Sequence, residues 1–402
     1  MKALVLGAGK SGKAAAALLK EQGYEVDFAD GYDRVVTSPG IPVKSELQLG
    51  CKELKRRGWK LLAVTGSKGK SSVVKLVAEA INLADGHAVA CGNYGIPVSE
   101  VANSNNRTVE QSNNSPWAVV EVSSFQLETT TLAPDTFETA AILNLQEDHL
   151  DRHGSVEVYH GLKRKLLGMT RHPIEADGTS FDKRSGDRFH PLWAGSYFDN
   201  AILAGNAAIA VELMRVAGLD DAHIARAFRD FVPLPHRMNL IAEIDGVRYV
   251  DDSKATSISA LVAGVKMASS STRPISQSVN LSISQSVNQS IGQSVNRTIL
   301  LIAGGLPKGD DPKTALSTLT ERVKKVYLIG QSAEAFSAAW KCAVDCEICG
   351  TLERAVERTM RDAERGETVL LSPGTASFDQ FKSFGERGEV FARLVKRERK
   401  DK

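Results

Sequence analysis

A mixed α/β architecture in three units is what this sequence predicts, and three observations predict it. Short apolar runs alternate with stretches of helical apolar spacing along nearly the whole chain, the βα rhythm of parallel sheets. Two of those runs, ending at Leu6 and Val64, lead into glycine-rich turns that open helices. Four others, ending at Val122, Asn144, Val250 and Leu371, give way to polar clusters of the kind that gather ligands at the strand ends of open sheets. A length of 402 residues suits two or three domains, and 42% hydrophobic residues allow each its own core.

Charge and composition exclude several roles. Lys+Arg of 50 against Asp+Glu of 48 leaves a formal charge of +2, so no nucleic-acid or membrane partner is implied. No apolar run approaches the ~20 residues that span a bilayer. Met1-Lys2 leads straight into ALVLGAG, which resembles neither a secretory signal nor a transit peptide, so a cytoplasmic location is expected. Five cysteines, an odd number, argue against a disulfide framework. Cys342, Cys346 and Cys349 have a spacing used for iron–sulfur ligation, but they fall between two helices, with a strand-like DCEICG between, where small buried hydrophobes also belong.

Taken in order, residues 1–58 form a small β–α–β unit. Gly7-Ala8-Gly9-Lys10-Ser11-Gly12 opens an alanine-rich helix, and the next strand ends at Asp30. The turn resembles a dinucleotide fingerprint whose third glycine comes a step early; a phosphate site and a plain tight turn both fit it. A strand at Val35-Val36 then runs into a turn over Ser38 to Pro42.

The second unit, 59–232, opens on LLAVTGSKGKSSVV. A buried strand, the turn Gly66-Ser67-Lys68-Gly69-Lys70-Ser71 and a helix N-terminus aim backbone N–H groups and a positive dipole end at one point, which suits a phosphate. Lys70 supplies a mobile cation for the outer phosphates, and the Ser71 hydroxyl is able to ligate Mg²⁺. Only two residues separate the first glycine from the Gly-Lys pair, against four in the common P-loop. Asn93 lies in a turn, Gly92 to Pro97, and 103–115 reads as a solvated polar loop. In the strand Trp117 to Val122, Glu121 interrupts an apolar run; it is either paired or metal-bound, or it faces water from an edge. Asp148-His149-Leu150-Asp151-Arg152-His153 follows another strand and reads as a surface loop or as metal and substrate ligands. Tyr159 to Leu167 is a helix on which Lys163 and Arg164 are free to face either way.

The third unit, 233–402, is a doubly wound α/β domain. It carries Asp251-Asp252-Ser253-Lys254-Ala255-Thr256 after one strand and Ser372 to Phe381 after another. Three imperfect octads between Ile275 and Thr298 form a low-complexity insertion at 270–298, expected to bulge out as a disordered loop.

In this order the motifs resemble the Mur ligases of peptidoglycan synthesis, over nearly the whole chain. TGSKGKSS resembles that family's shortened P-loop. SPGI at 38–41, EVSSFQLE at 121–128, DHLDRH at 148–153, DSKAT at 252–256 and SPGTASFDQF at 372–381 resemble the branch that adds D-glutamate. The resemblance implies a Rossmann-like first domain, a central P-loop-type ATPase domain and a C-terminal amino-acid domain. It implies an ATP-driven amide bond between UDP-N-acetylmuramoyl-L-alanine and D-glutamate, through an acyl phosphate, by a protein expected to be monomeric.

Site roles follow from the same match. Gly66, Ser67, Lys68, Gly69, Lys70, Ser71 and Ser72 would hold the ATP phosphates, with Arg237 and Asp252 as further nucleotide contacts. Ser71 and Glu121 would ligate a first Mg²⁺ and His149 a second. Lys163 matches a lysine that CO₂ carbamylates, an adduct able to bind metal. Ser11, Gly12, Asp30, Ser38 and Gly40 match the UDP-binding face, with Asn93 and Ser123 toward the muramoyl-alanine end. Lys254, Thr256, Lys308, Ser377 and Phe384 match positions that receive D-glutamate, and a lysine pair suits two carboxylates. The first domain is short by one β–α step, and Tyr197-Phe198-Asp199-Asn200 stands where the family has a His-Asn motif.

Overall fold

The computed structural model describes residues 1–30, 44–103, 115–175, 191–200, 202–270 and 297–398. The strand and turn expected at 35–42, with Ser38 and Gly40, the polar stretch 104–114 and the repeats at 271–296 lie outside the described residues. The chain divides into two compact units, Met1–Phe231 and Val232–Lys402.

Five parallel strands centre the first unit: β3 (Lys60–Thr65), β4 (Ala88–Gly92), β5 (Trp117–Glu121), β6 (Thr139–Ile142) and β7 (Pro173–Glu175), in the order β4-β5-β3-β6-β7. Leu61 to Thr65 and all of β5 are buried, as expected where helices cover both faces of a parallel sheet. Helix α3 (Lys70–Leu83) packs on this sheet and against the helices Ala204–Val216 and Asp221–Asp230.

A separate two-stranded parallel sheet, β1 (Lys2–Leu6) and β2 (Glu25–Ala29), is joined by helix α1 (Lys10–Glu21). It belongs to the same compact unit as the five-stranded sheet. The reason is in helix α2 (Glu46–Arg56), whose Leu47, Cys51 and Leu54 share one core with Leu18 of α1 and with Leu61 and Ala63 of β3. Two strands are too little sheet to cover α1 and α2, so these helices bury their apolar faces against the neighbouring core.

The second unit is a six-stranded sheet in the order β12-β11-β10-β13-β9-β8. Its members are β8 (Asn239–Ile244), β9 (Val247–Asp251), β10 (Ile299–Gly304), β11 (Val323–Ile329), β12 (Asp345–Gly350) and β13 (Thr368–Leu371). All neighbours are parallel except β8, which pairs antiparallel with β9. That edge strand is additional to those expected from the sequence. Asp245-Gly246, both at positive φ, makes the two-residue turn that forms it. No helix among the described residues is long and apolar enough to cross a membrane.

Candidate active site

The glycine-rich turn after β3 is held open by two asparagines that sequence reasoning did not single out. Asn144, just past β6, accepts from the Ser67 N–H through its carbonyl (3.0 Å) and from the Lys68 N–H through its side chain (2.9 Å). Its amide donates to the Lys68 carbonyl (2.9 Å) and to Asn206 Oδ1 (3.1 Å). Asn206 in turn blocks any side chain at residue 69, because a Cβ on Gly69 would sit 2.0 Å from its Nδ2, and Gly69 has φ +84°. The loop therefore keeps a bare backbone leading into the first turn of α3, where Lys70, Ser71 and the buried Ser72 stand. The available signals were an asparagine ending an apolar strand and another on an otherwise apolar helix, each a polar group that burial must satisfy.

Two ammonium groups converge on one carbonyl. Lys70 Nζ donates to the carbonyls of Gly66 (2.8 Å) and Ser67 (3.2 Å), and Lys163 Nζ donates to the same Gly66 oxygen (2.9 Å). Lys163 comes from helix α7 (Val156–Arg164), whose register buries it and leaves Arg164 outside, paired with Glu175. Burial, reinforced by the positive charge of Lys70, pulls the Lys163 ammonium down to about 7. Its neighbour Tyr159 donates to Ser67 Oγ (3.2 Å).

Glu121 is 2% exposed at the carboxyl end of β5, an interior strand, so the edge-strand reading of this residue does not hold. One carboxylate oxygen accepts from Asn93 Nδ2 (2.9 Å); the other is buried without a hydrogen-bond partner. An unpartnered carboxylate oxygen in a protein interior is costly, and a cation is the natural complement.

Around the rim, Asp148 pairs with Lys68 (3.1 Å). Burial pushes its carboxyl up, but Lys68, His149 and Lys70 outweigh that and hold it below the ordinary range. His149 takes a left-handed conformation (φ +54°), with its ring 5.1 Å from that of Phe125 and about half exposed. Ser123 caps helix α5 (Ser124–Thr129) in a reciprocal box with Gln126, so its hydroxyl already has a structural task. The first glycine turn lies close by: Lys10 Nζ donates to the Gly95 carbonyl, in the turn that carries Asn93. Gly12 packs tightly there, since a Cβ would meet the Gly7 carbonyl at 1.9 Å. Ser11 is exposed, and Asp30 accepts from the Ala8 N–H (3.4 Å).

In the segment of the expected His-Asn motif, Phe198 is a core aromatic and Tyr197 lies half-buried beside it. Phe198 is fully buried against Phe228 and Phe231, and Asn200 caps the following turn through the N–H groups of Ile202 and Leu203.

In the second unit, three adjacent strand ends bring most of the other candidate residues together. Lys254 Nζ lies 4.1 Å from the Phe384 ring centroid, and Ser253 Oγ donates to the Phe384 carbonyl (2.8 Å). Gly374 N–H donates to the Ala255 carbonyl (2.8 Å), and Leu306 and Ala376 exchange backbone hydrogen bonds, tying together the loops after β9, β10 and β13. Ser377 is buried on the last of these, Thr256 is half-buried, and Lys308 is exposed on the loop after β10. Burial pushes the Asp252 carboxyl up to about 7 despite a hydrogen bond from Ser372 Oγ (2.9 Å); Asp251 adds to the rise and Arg237 opposes it.

Residues 64–177 match the Mur ligase middle domain. The chain is similar to UDP-N-acetylmuramoylalanine--D-glutamate ligase of Nitratidesulfovibrio vulgaris (strain DP4), with 31% identity over 459 residues, covering 98% of this chain and 95% of the relative. The ligase of the same name from Myxococcus xanthus (strain DK1622) is 31% identical over 486 residues, covering 98% of each. Both alignments are longer than the 402-residue chain, so each relative carries segments with no counterpart here. Among solved structures, MurF ligase from Thermotoga maritima in complex with ADP superposes with a TM-score of 0.62 at 14% identity, covering 98% of this chain and 95% of that one. At that identity the likeness is one of fold.

Proposed function

This chain belongs to the Mur ligase family, and from that premise we propose how its residues divide the work of the reaction. It is an ATP-dependent acid–amino-acid ligase that adds D-glutamate to UDP-N-acetylmuramoyl-L-alanine in peptidoglycan precursor synthesis. The terminal phosphoryl group passes to the L-alanine carboxylate, and the D-glutamate amine then displaces phosphate from the acyl phosphate to leave an amide. Little covalent chemistry falls to the protein in such a transfer; it positions two anionic reactants and neutralises charge.

The buried Glu121 carboxylate beside the glycine turn is the observation that carries the assignment of roles. Its unpartnered oxygen fits Mg²⁺, with Ser71 on the next strand's helix as a second ligand and His149 serving another ion at the rim. Bound there, the ions would offset charge on the transferring phosphoryl group and the acceptor carboxylate. The backbone from Gly66 to Ser72, with Lys68 and Lys70, holds the phosphates; Arg237 and Asp252 contact the nucleotide. Residues 1–58 act as the UDP-substrate domain through Ser11, Gly12, Asp30, Ser38, Gly40, Asn93 and Ser123, the last two from the central domain, 59–232. Residues 233–402 receive D-glutamate through Lys254, Thr256, Lys308, Ser377 and Phe384. The protein works as a cytoplasmic monomer.

Lys163 is carbamylated in the working enzyme. Its depressed ammonium leaves a large share of free amine near neutrality. The amine nitrogen attacks the carbon of CO₂, an N–C bond forms, and one proton is lost to solvent, leaving a carbamate. Two cations crowded on the Gly66 carbonyl thereby become a cation and an anion. Degassed, CO₂-free buffer is expected to lower turnover several-fold, with bicarbonate restoring it and ¹³CO₂ giving a carbamate resonance that Lys163→Arg lacks. Turnover indifferent to CO₂, with no such resonance, would rule this out.

The substrate assignment is tested with an amino-acid panel. With UDP-N-acetylmuramoyl-L-alanine and ATP, D-glutamate should release phosphate at least about a hundredfold faster than a neutral amino acid, since a site built for two carboxylates rejects analogues that leave charges unpaired, and faster than L-glutamate, whose inverted centre cannot put its amine and both carboxylates on the same partners. Phosphate release with another amino acid and none with D-glutamate would move the chain to a sister ligase.

A further inference from the structure

Among the described residues of the second unit Arg387 is the most deeply buried cation, with 0% exposure, on the helix Phe384–Glu398. Its guanidinium makes four hydrogen bonds, all to neutral oxygens. Nε donates to Ser253 Oγ (3.0 Å), Nη2 to the carbonyls of Ser253 (2.9 Å) and Thr375 (3.2 Å), and Nη1 to the Ala376 carbonyl (3.3 Å). Among the described ion pairs none involves Arg387; Asp379 and Asp251 act on it only from further away. Buried arginines are ordinarily matched by a carboxylate, because an unmatched charge is expensive in a protein interior.

The partners of this fork lie on two loops 134 and 12 residues away in sequence. One follows β9 and carries Lys254 and Thr256; the other follows β13 and carries Ser377. A third loop, after β10, presses on the same junction. A Cβ on Gly305 (φ +139°) would lie 2.4 Å from the Ala376 carbonyl, 2.7 Å from Thr375 Oγ1 and 3.2 Å from Arg387 Nη1. Strands β10, β13 and β9 are neighbours in the sheet, so Arg387 sits where their three carboxyl-end loops meet. Thr375, on the clamped loop, also keeps a buried hydroxyl with no hydrogen-bond partner.

We propose that Arg387 is a positioning residue for the amino-acid substrate: its planar fork sets the spacing of the loops bearing Lys254 and Ser377, and its positive charge, in no described ion pair, favours a dicarboxylate beside them. The inference rests on the assignment of those residues to D-glutamate. Lysine keeps the charge but has three donors on a flexible stem, so it cannot span both loops in one geometry. Ser253 relays the same clamp, accepting from Arg387 and donating to the Phe384 carbonyl under the Lys254 ammonium.

The experiment measures KM for all three substrates in the full-length wild type, Arg387→Lys and Ser253→Ala. For Arg387→Lys the KM for D-glutamate should rise about tenfold or more, with the KM values for ATP and for the UDP-linked substrate within about twofold of wild type. Ser253→Ala should shift the same ratio in the same direction by less, and decides the matter if Arg387→Lys does not fold. An unchanged D-glutamate KM, or an equal rise in all three, overturns the proposal. A wild-type enzyme that does not use D-glutamate at all would instead defeat the substrate assignment, so the two failures are told apart by the parent protein.

Discussion

Lys70→Ala is expected to lower turnover by at least about three orders of magnitude, roughly 4 kcal/mol of transition-state stabilisation. In the structure the Lys70 ammonium lies folded over its own loop, on the Gly66 and Ser67 carbonyls. Both are uncharged acceptors that a phosphate oxygen outcompetes, so the side chain is held close to its place of work and released cheaply. Neither neighbouring lysine stands in its place: Lys163 is buried and turned to the same carbonyl, and Lys68, which pairs with Asp148, reaches the phosphates from a different position on the loop. Phosphate release under saturating substrates is the measurement, with thermal unfolding to show that the fold persists. Turnover within tenfold of wild type would mean that Lys70 does not meet the transferring phosphate, and the phosphate-loop reading would go with it.

Glu121→Gln should show two effects of opposite benefit. Turnover is expected to fall by about a thousandfold, the scale seen when one preorganised electrostatic group is removed. Thermal stability without divalent metal should rise, because the substitution removes a buried charge one of whose oxygens has no partner. For a unit of this size about 1 kcal/mol corresponds to ~2–4 °C. Adding Mg²⁺ should stabilise the wild type through binding to the native state and should have a much smaller effect on the variant. The amide retains the oxygen that accepts from Asn93, so the loop after β4 should stay in place. Equal Mg²⁺ shifts in the two proteins would show that Glu121 is not the metal's partner.

Local elements were legible wherever neighbours in sequence settle the backbone. The run Leu61 to Val64, the glycines at 66 and 69 and the helix that follows form one continuous strand–turn–helix, and the structure contains it with α3 starting at Lys70. Lys163 shows the limit. Its place on a helix could be read from apolar spacing, but whether it faced inward depended on which side α7 turned toward the sheet. One residue's rotation separates a buried lysine on the Gly66 carbonyl from a surface one like Arg164. The Tyr197–Asn200 segment teaches a similar lesson: a missing motif was visible, but not that Phe198 fills the core beside Phe228 and Phe231.

What the sequence alone determined is the α/β class, the phosphate-type turn and the order of the polar clusters at strand ends. Those features depend on the conformational preferences of adjacent residues and on a period of two or 3.6. Tertiary structure decided which polar groups support them: Asn144 and Asn206, 62 residues apart, hold the glycine turn, and Arg387 reaches Ser253 across 134 residues. It also decided that α2 shares the core of the central sheet and that Glu121 lies on an interior strand. Such partnerships arise only when the sheet brings distant loops to one edge, and a buried polar group takes whichever partner packing places within hydrogen-bond reach.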